Sequence, residues 1–262
     1  MKTVDKLPLK NKLTSLFEGS QFIYGLKEIL DTPFSIGECN ILFSHDGGPL
    51  TTFEVHSNSG QDSKYRRFGV EFDRIQCQPS LLDRPLVLAL EHPVYISPRS
   101  HLQINLSRPI AFELTAIAAN DKSLKLCIMS TKNMRLTSYG QVTRPMICYH
   151  WQASTVSRPV DGNEALVPIM IYNQTKQVVE LKKLILDKVF LKIFKNEDYF
   201  ITSQVKVQIT SKSEAYLEYL NTPPPLEGDC RLVFESSSDV GPKFLKILRL
   251  MGKRGTGIEY GF

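Results

Sequence analysis

The sequence predicts an all-β protein of two β-sandwich-like halves, with a short helical extension at the N-terminus and one basic amphipathic helix near the C-terminus. Three observations lead to this prediction. Apolar and polar residues alternate along many short runs after Pro33. Turn-forming stretches such as Ser97–Ser100 and Asn173-Gln174 separate the runs about every 8 to 12 residues. No regular crossover helices, of the kind that join parallel strands, interrupt residues 34–239.

The first 33 residues have a different periodicity from the rest. Their apolar residues recur at spacings near three and four, which is typical of an amphipathic helix, although Gly19 and Gly25 weaken the pattern. We therefore expect residues 1–33 to form an N-terminal extension with one or two short helices that ends at Pro33.

Strands are predicted wherever the period falls to two. The clearest case is His101–Ser107, and the same alternation marks Ser123–Ile128 and Val205–Ile209. The turn Asp46–Gly48 fits a tight hairpin, because its glycines supply the positive φ that such turns require. The run Leu86–Leu90 is apolar without interruption, so we expect both faces of that strand to be covered.

A polar run between Ala153 and Glu164 is the predicted boundary between the halves. It divides the chain into a first β-sandwich-like domain, residues 34–156, and a second, residues 157–262, which also carries the C-terminal helix and a last strand. A single continuous sandwich is the alternative.

Residues 242–251 are predicted to form the C-terminal helix, followed by a last strand within residues 257–262. Pro242 suits the first helical turn and Gly252 the position after the helix end. Such a basic amphipathic helix either lies on an anionic membrane surface or an acidic partner, or, more commonly, packs its apolar side on its own sheet. The basic side comprises Lys243, Lys246, Arg249 and Lys253.

Composition narrows the class of protein. The 262 residues carry a net charge of +5, which is too small to indicate nucleic-acid binding by itself. No apolar run approaches the length of a membrane helix, and the first residues contain no apolar secretory segment. The five cysteines are widely spread, which favours reduced thiols in a cytoplasmic protein over disulfides or structural zinc. No cofactor is predicted.

Cys148 and His150 form the one pair whose spacing suits chemistry. Two residues apart on a strand, they point to the same side, and a thiol beside an imidazole is the start of either a metal site or a nucleophilic site. Either site needs a third residue that the sequence does not identify. The more common interpretation is structural, so no catalytic or metal role is assigned. His45 precedes Asp46, but adjacent strand residues point apart and the hairpin turn accounts for Asp46.

Arg66 and Arg67 lie in a run where basic residues alternate with aromatic ones, residues 64–68. This pattern suits phosphate contact and base stacking in nucleic-acid binding. The favoured alternative is an exposed strand edge whose charges discourage aggregation.

Four stretches resemble a known family. They are Arg84–Ser100, Leu106–Leu114, Leu136–Gly140 and Met146–Tyr149. Together they resemble an uncharacterised prokaryotic domain-of-unknown-function family, number four hundred and thirty-two, over most of residues 34–262. The resemblance implies no reaction and transfers no functional residue. It implies an association with mechanosensitive membrane channels, and hence a regulatory or accessory role.

The sequence therefore does not state a function. The favoured hypothesis is a non-enzymatic binding or accessory module with a protein partner, because no catalytic constellation converges and β-sandwiches commonly serve as binding scaffolds. One alternative is a metal- or thiol-dependent enzyme with a site around Cys148 and His150. Another is a binder of anionic surfaces, nucleic acid or membrane, through the lysine-rich second half.

Overall fold

The structure is a computed structural model, and it is all-β as predicted. Twenty strands and no helix occur in the part of the chain that it describes. That part comprises residues 25–28, 33–45, 51–57, 63–69, 71–141, 144–158, 162–187, 191–211, 214–220, 230–235 and 245–248.

Two compact units divide the chain. Unit 1 contains residues Met1–Gln78 and Phe112–Asn133, and unit 2 contains Pro79–Ala111 and Met134–Phe262. The chain therefore leaves unit 1, enters unit 2, returns, and leaves again. The boundary predicted after residue 156 falls inside unit 2, and an independently folding domain on each side of it stays a prediction.

Unit 1 contains two four-stranded sheets. The first has the order β2-β3-β4-β5 and is antiparallel throughout, so each strand is a hairpin neighbour of the next. The second has the order β1-β6-β9-β10. Their bounds are β1 Gly25–Glu28, β2 Phe34–Ile36, β3 Cys39–His45, β4 Thr51–Ser57, β5 Ser63–Phe68, β6 Arg74–Ser80, β9 Ala111–Ile117 and β10 Ser123–Ser130.

The core of unit 1 is one apolar cluster drawn from both sheets. Alternate residues of each strand enter it, as the period of two dictates. Phe43 lies at its centre, with ring centroids 6.5 Å from Phe34 and 5.1 Å from Phe53. The predicted hairpin is confirmed, because β3 and β4 pair from Cys39 with Ser57 to His45 with Thr51.

Unit 2 contains a four-stranded sheet with the order β11-β12-β7-β14. Residues 86–90 of β7 are buried on both faces, as their continuous apolar run predicted. A side-chain hydrogen bond links the edge strands β11 and β14, in which Lys183 Nζ donates to Tyr139 Oη at 3.1 Å. The bounds are β7 Leu86–Ile96, β11 Arg135–Gln141, β12 Arg144–Ala153 and β14 Val179–Leu186.

An eight-stranded sheet completes unit 2, with β13 at its centre. Strand β8 pairs antiparallel along nearly all of β13, whereas β16 and β17 pair parallel with its first and last residues. The bounds are β8 His101–Pro109, β13 Glu164–Asn173, β15 Lys192–Lys195, β16 Phe200–Thr202, β17 Val205–Ile209, β18 Glu214–Tyr219, β19 Arg231–Glu235 and β20 Leu245–Leu248.

The two predicted helices are not found in the described residues. Gly25–Glu28, within the predicted N-terminal extension, is strand β1 and pairs with β6; residues 1–24 lie outside the described part. Leu245–Leu248, within the predicted C-terminal helix, is strand β20 and pairs with β18. A short apolar run fits either period, and here the open edge of β18 supplies hydrogen-bond partners that favour the strand.

Candidate functional site

A pocket lies where two turns of unit 2 meet. The first turn, Ser97–Ser100, joins β7 to β8, and the second follows Asn173 at the end of β13. Pro98 sets the backbone of the first turn, and Ser100 Oγ donates to the Ser97 carbonyl at 2.7 Å. We call this site the turn pocket. It has a volume of about 260 Å³ and is lined by Arg99, Ser100, His101, Tyr172, Asn173 and Gln174.

Asn173 fastens the two turns together. Its side-chain amide donates to the carbonyls of Ile96, Ser97 and Gln177 at 3.0, 2.9 and 2.8 Å, while its Oδ1 accepts from the Thr175 N–H at 3.0 Å. Only 1% of Asn173 is exposed, so these bonds are shielded from water. The wall of the turn pocket is therefore held rigidly by backbone contacts.

Two aromatic rings form one side of the turn pocket. His101 and Tyr172 are register partners across β8 and β13, and their rings stack with centroids 5.9 Å apart. Lys206 Nζ lies 5.5 Å from the centroid of the Tyr172 ring, a cation–π distance, and also pairs with Glu218 at 3.2 Å. His101 is exposed, so the stacked pair is accessible from solvent.

Arg99 adopts an unusual backbone conformation at the rim of the turn pocket. Its φ is +49°, in the left-handed region that favours glycine, asparagine and aspartate. For an arginine this conformation costs about 1–2 kcal/mol. The Arg99 side chain is exposed and makes no hydrogen bond or ion pair with the described residues. Backbone strain of this kind is concentrated at functional sites.

A buried charge occupies the interior of unit 2. Arg108, on β8, is 3% exposed, and its Nε donates to the Pro109 carbonyl at 3.3 Å. Burial lowers the pKa of Arg108 to about 10, with the nearby Tyr219 opposing that shift. Burial likewise raises the pKa of Tyr219, whose hydroxyl accepts from the Asp187 N–H at 2.9 Å. No described carboxylate forms an ion pair with Arg108.

A second buried polar pair lies beside Arg108 in sequence. Ser107 Oγ donates to a carboxylate oxygen of Glu164, and both side chains are buried. Adjacent strand residues point to opposite faces, so Ser107 and Arg108 serve different sides of the sheet. The Glu164 pair is thus not a counter-charge for Arg108.

Cys148 and His150 lie on β12, as their spacing suggested, with Cys148 fully buried and His150 half-buried. The Cys148 thiol contacts the Met146 carbonyl at 3.6 Å. Burial raises the pKa of Cys148 to about 11, and the charge of Asp187 adds to the effect. A thiol in this state is protonated at neutral pH, whereas nucleophiles and metal ligands are thiolates.

The other candidates fall on different parts of the chain. Arg66 and Arg67 are exposed on β5, an edge strand of unit 1, and Arg67 lies 5.8 Å from the centroid of the Tyr65 ring. His45 ends β3, and its side chain is not among those described. Lys246 is in β20; Lys243, Arg249 and Lys253 lie outside the described residues.

The described residues contain neither a cluster of metal ligands nor a membrane-spanning helix. No group of three or more His, Cys, Asp or Glu side chains is arranged to hold a metal ion there. In the same residues no helix is long and apolar enough to cross a membrane.

Sequence reasoning missed the turn pocket. It identified residues 97–100 and 173–174 only as turns, and it assigned no role to His101. The available signal was the arginine after Pro98, a position where turns with a left-handed residue usually carry glycine or asparagine. The contact between His101 and Tyr172 depends on strand register, which the sequence does not state.

Comparison with known proteins gave one match. A family model described as a protein of unknown function, DUF432, matches residues 23–251. No curated protein and no solved structure matches the chain. The matched residues include all twenty described strands and confirm the resemblance found in the sequence. The chain belongs to this family of proteins of unknown function, DUF432.

Proposed function

We propose that this chain is a non-enzymatic, cytoplasmic binding module whose turn pocket takes a small anionic ligand. Its two halves act as β-sandwich-like scaffolds, and the ligand is held where two turns of unit 2 meet. The observation that carries the proposal is Arg99, an exposed arginine kept in a left-handed conformation at the rim of a pocket. The left-handed backbone of an arginine costs free energy, and an interaction of its side chain with a ligand would offset that cost.

The charges around the turn pocket favour an anion. None of its six lining residues is acidic, and Arg99 contributes a guanidinium with five N–H donors. Lys206 adds a second cation nearby, partly balanced by Glu218. Guanidinium groups bind carboxylates and phosphates through two parallel hydrogen bonds, which gives both affinity and orientation.

The enzyme alternative has weaker support. The buried, protonated Cys148 is unsuited to nucleophilic attack, because the reactive form of cysteine is the thiolate. The described residues also provide no third metal ligand for Cys148 and His150. Binding without chemistry requires only a rigid pocket and a charge.

The alternative of an extended anionic surface also has weaker support. Several lysines of the second half have an acidic partner close by, so their charges are balanced locally. These pairs are Lys182 with Glu180 at 2.9 Å, Lys192 with Glu235 at 2.6 Å and Lys206 with Glu218 at 3.2 Å. Arg99 differs in having no such partner among the described residues.

The test is a titration of the chain with inorganic phosphate and with small carboxylates. Nuclear magnetic resonance signals of the backbone amides report the binding. Shifts centred on residues 97–101 and 172–174 are expected in the wild-type chain. Arg99→Gly should abolish them, because it removes the guanidinium and suits the backbone. Arg135→Ala, which removes an exposed arginine of unit 2 outside the pocket, should leave them unchanged. Equal shifts in wild type and Arg99→Gly would refute the proposal.

A further inference from the structure

We infer that the ligand of the turn pocket is a nucleoside phosphate, with its base stacked on His101 and its phosphate held by Arg99. This inference rests on the proposed function, because it identifies the class of anion that the same pocket takes. It adds a requirement for a planar ring, and that requirement is tested separately from the requirement for charge.

The ring platform is the first argument. His101 is exposed, and one face of its imidazole stacks on Tyr172 at a centroid distance of 5.9 Å. An exposed imidazole beside a second aromatic ring is a surface on which a ligand ring can stack. Lys206 Nζ lies 5.5 Å from the centroid of the Tyr172 ring, so a cation accompanies the pair. Proteins bind single bases on aromatic side chains and on histidine in this way.

The spacing of charge and ring is the second argument. Arg99 lies two residues before His101, and both residues line the turn pocket. A phosphate on the guanidinium and a base on the imidazole would therefore be bound by neighbouring side chains of one segment. Arginine is well suited to phosphate, because its fork makes two parallel hydrogen bonds to the phosphate oxygens.

Polar groups and size complete the argument. Gln174 is exposed and lines the turn pocket, and a glutamine amide has both a donor and an acceptor for a base edge or a ribose hydroxyl. The volume of about 260 Å³ is just below the usual range of about 300–1,000 Å³ for drug-sized ligands.

The experiment compares four probes on the full chain by isothermal titration calorimetry at constant ionic strength. They are adenosine 5′-monophosphate, adenosine, ribose 5-phosphate and inorganic phosphate. We expect the nucleotide to bind most tightly. Removal of the base or of the phosphate should weaken binding about tenfold or more, since each contact contributes at that scale.

Variants assign each contact. His101→Ala should reduce nucleotide affinity to that of ribose 5-phosphate and leave ribose 5-phosphate binding unchanged. His101→Phe keeps a ring and should retain most of the nucleotide affinity. Arg99→Gly should weaken both phosphorylated probes, whereas Arg135→Ala should weaken neither. His101 is exposed, so its substitution should not unfold the chain, and thermal unfolding of each variant checks this.

The outcomes separate the two proposals. Equal affinities for the nucleotide and ribose 5-phosphate, with loss of both in Arg99→Gly, would overturn the nucleoside phosphate and leave the anion pocket standing. No heat with any phosphorylated probe, together with no binding of carboxylates, would overturn both. Replacement of adenine by guanine or cytosine should change affinity only modestly, because stacking tolerates any base.

Discussion

The two units differ in what they bury. In the described part of unit 1 the buried polar side chains are three threonines, Thr51, Thr52 and Thr131. Unit 2 buries an arginine, a glutamate and an asparagine as well, namely Arg108, Glu164 and Asn173, together with Ser80, Ser107, Thr137, Thr202 and Ser203. Unit 1 therefore has an apolar interior, whereas unit 2 has charged and hydrogen-bonded groups inside.

Buried polar groups indicate where in a protein function is expected. A buried polar group costs free energy unless it is hydrogen-bonded, and a buried charge costs more. The described part of unit 1 buries no charged side chain, although Thr52 Oγ1 is buried there without a hydrogen-bond partner. Unit 2 buries Asn173, whose hydrogen bonds join the two turns of the turn pocket, and Arg108, which donates to a backbone carbonyl but has no described carboxylate partner.

The left-handed residues repeat the contrast. Asp121, in unit 1, has φ +59°, belongs to a residue type that tolerates that region, and pairs with Arg74 at 2.8 Å. Arg99, in unit 2, has φ +49°, belongs to a type that does not, and has no described partner for its side chain. The turn and the ion pair account for the conformation of Asp121. For Arg99, the proposed ligand would supply the missing interaction.

The largest expected effect is in unit 1. Gly37 has φ +57°, and a Cβ placed on it would lie 2.1 Å from the Thr131 carbonyl oxygen. Gly37→Ala therefore forces both backbone strain and movement of a neighbouring chain, and we expect a loss of about 3 kcal/mol or more in the free energy of unfolding. Urea denaturation measures it. Gly69→Ala, where a Cβ meets open space, is the matched control and should change stability little.

A tight backbone approach supports the view that unit 1 is selected for packing. If Gly37→Ala were tolerated like Gly69→Ala, the hairpin of β2 and β3 would have to be looser against residue 131 than described.

The next largest effect is expected in unit 2, where a substitution should raise the free energy of unfolding. Arg108→Met removes a buried charge that has no described carboxylate partner and replaces it with an apolar chain of similar length. We expect the free energy of unfolding to rise by about 1–3 kcal/mol, because the desolvation cost disappears. Arg74→Met, which breaks an exposed pair with Asp121, should change stability only slightly, because water screens that pair.

A loss of stability in Arg108→Met would contradict this reasoning. It would mean that a counter-charge compensates the guanidinium in the folded chain. Both units would then provide partners for most of their buried polar groups. They would differ only in the kind of partner, a counter-charge or a hydrogen bond.

Local features of this fold were predictable from the sequence. The alternation in His101–Ser107 identified β8, and the apolar run Leu86–Leu90 identified a strand covered on both faces. These features depend only on the period of a strand and on the solubility of side chains. The error at Leu245–Leu248 has the same origin, because four residues are too few for the period to distinguish a helix from a strand.

The partners of each strand were not predictable. A period of two states which side chains share a face, but not which strand lies alongside or in what register. The turn pocket depends on register, since His101 meets Tyr172 only because β8 and β13 pair as they do. The parallel pairing of β13 with β16 and β17, without intervening helices in the described residues, likewise has no local signal.

A third prediction concerns Cys148 at alkaline pH. Its pKa is raised from 9.0 to about 11 in the folded chain, so between these values the unfolded thiol ionises and the folded one does not. Its contribution to stability is therefore full below pH 9 and is lost as the pH rises through 11. The stability difference between wild type and Cys148→Ala should fall by on the order of 2 kcal/mol over that range.

Denaturant titrations at pH 8, 9.5 and 11 measure this change. Cys77, in unit 1, is a useful parallel, because burial raises its pKa as well, with Cys127 adding to the shift. Native alkylation should modify Cys230 first, since the other four cysteines are buried. Rapid alkylation of Cys148 at neutral pH would restore the thiol-enzyme alternative.

The smallest expected effect decides most about function. Arg99→Gly places the residue that φ +49° favours in the turn, so the free energy of unfolding should stay the same or rise by up to about 1 kcal/mol. Asp121→Gly, its counterpart in unit 1, loses the pairing with Arg74 and should gain nothing. A variant that is as stable as the wild type, or more so, and that no longer binds a phosphorylated ligand would show that Arg99 is kept for binding at the expense of the backbone. A clear loss of stability in Arg99→Gly would instead mean that Arg99 stabilises the folded chain. The backbone strain at Arg99 would then no longer support a binding site in unit 2.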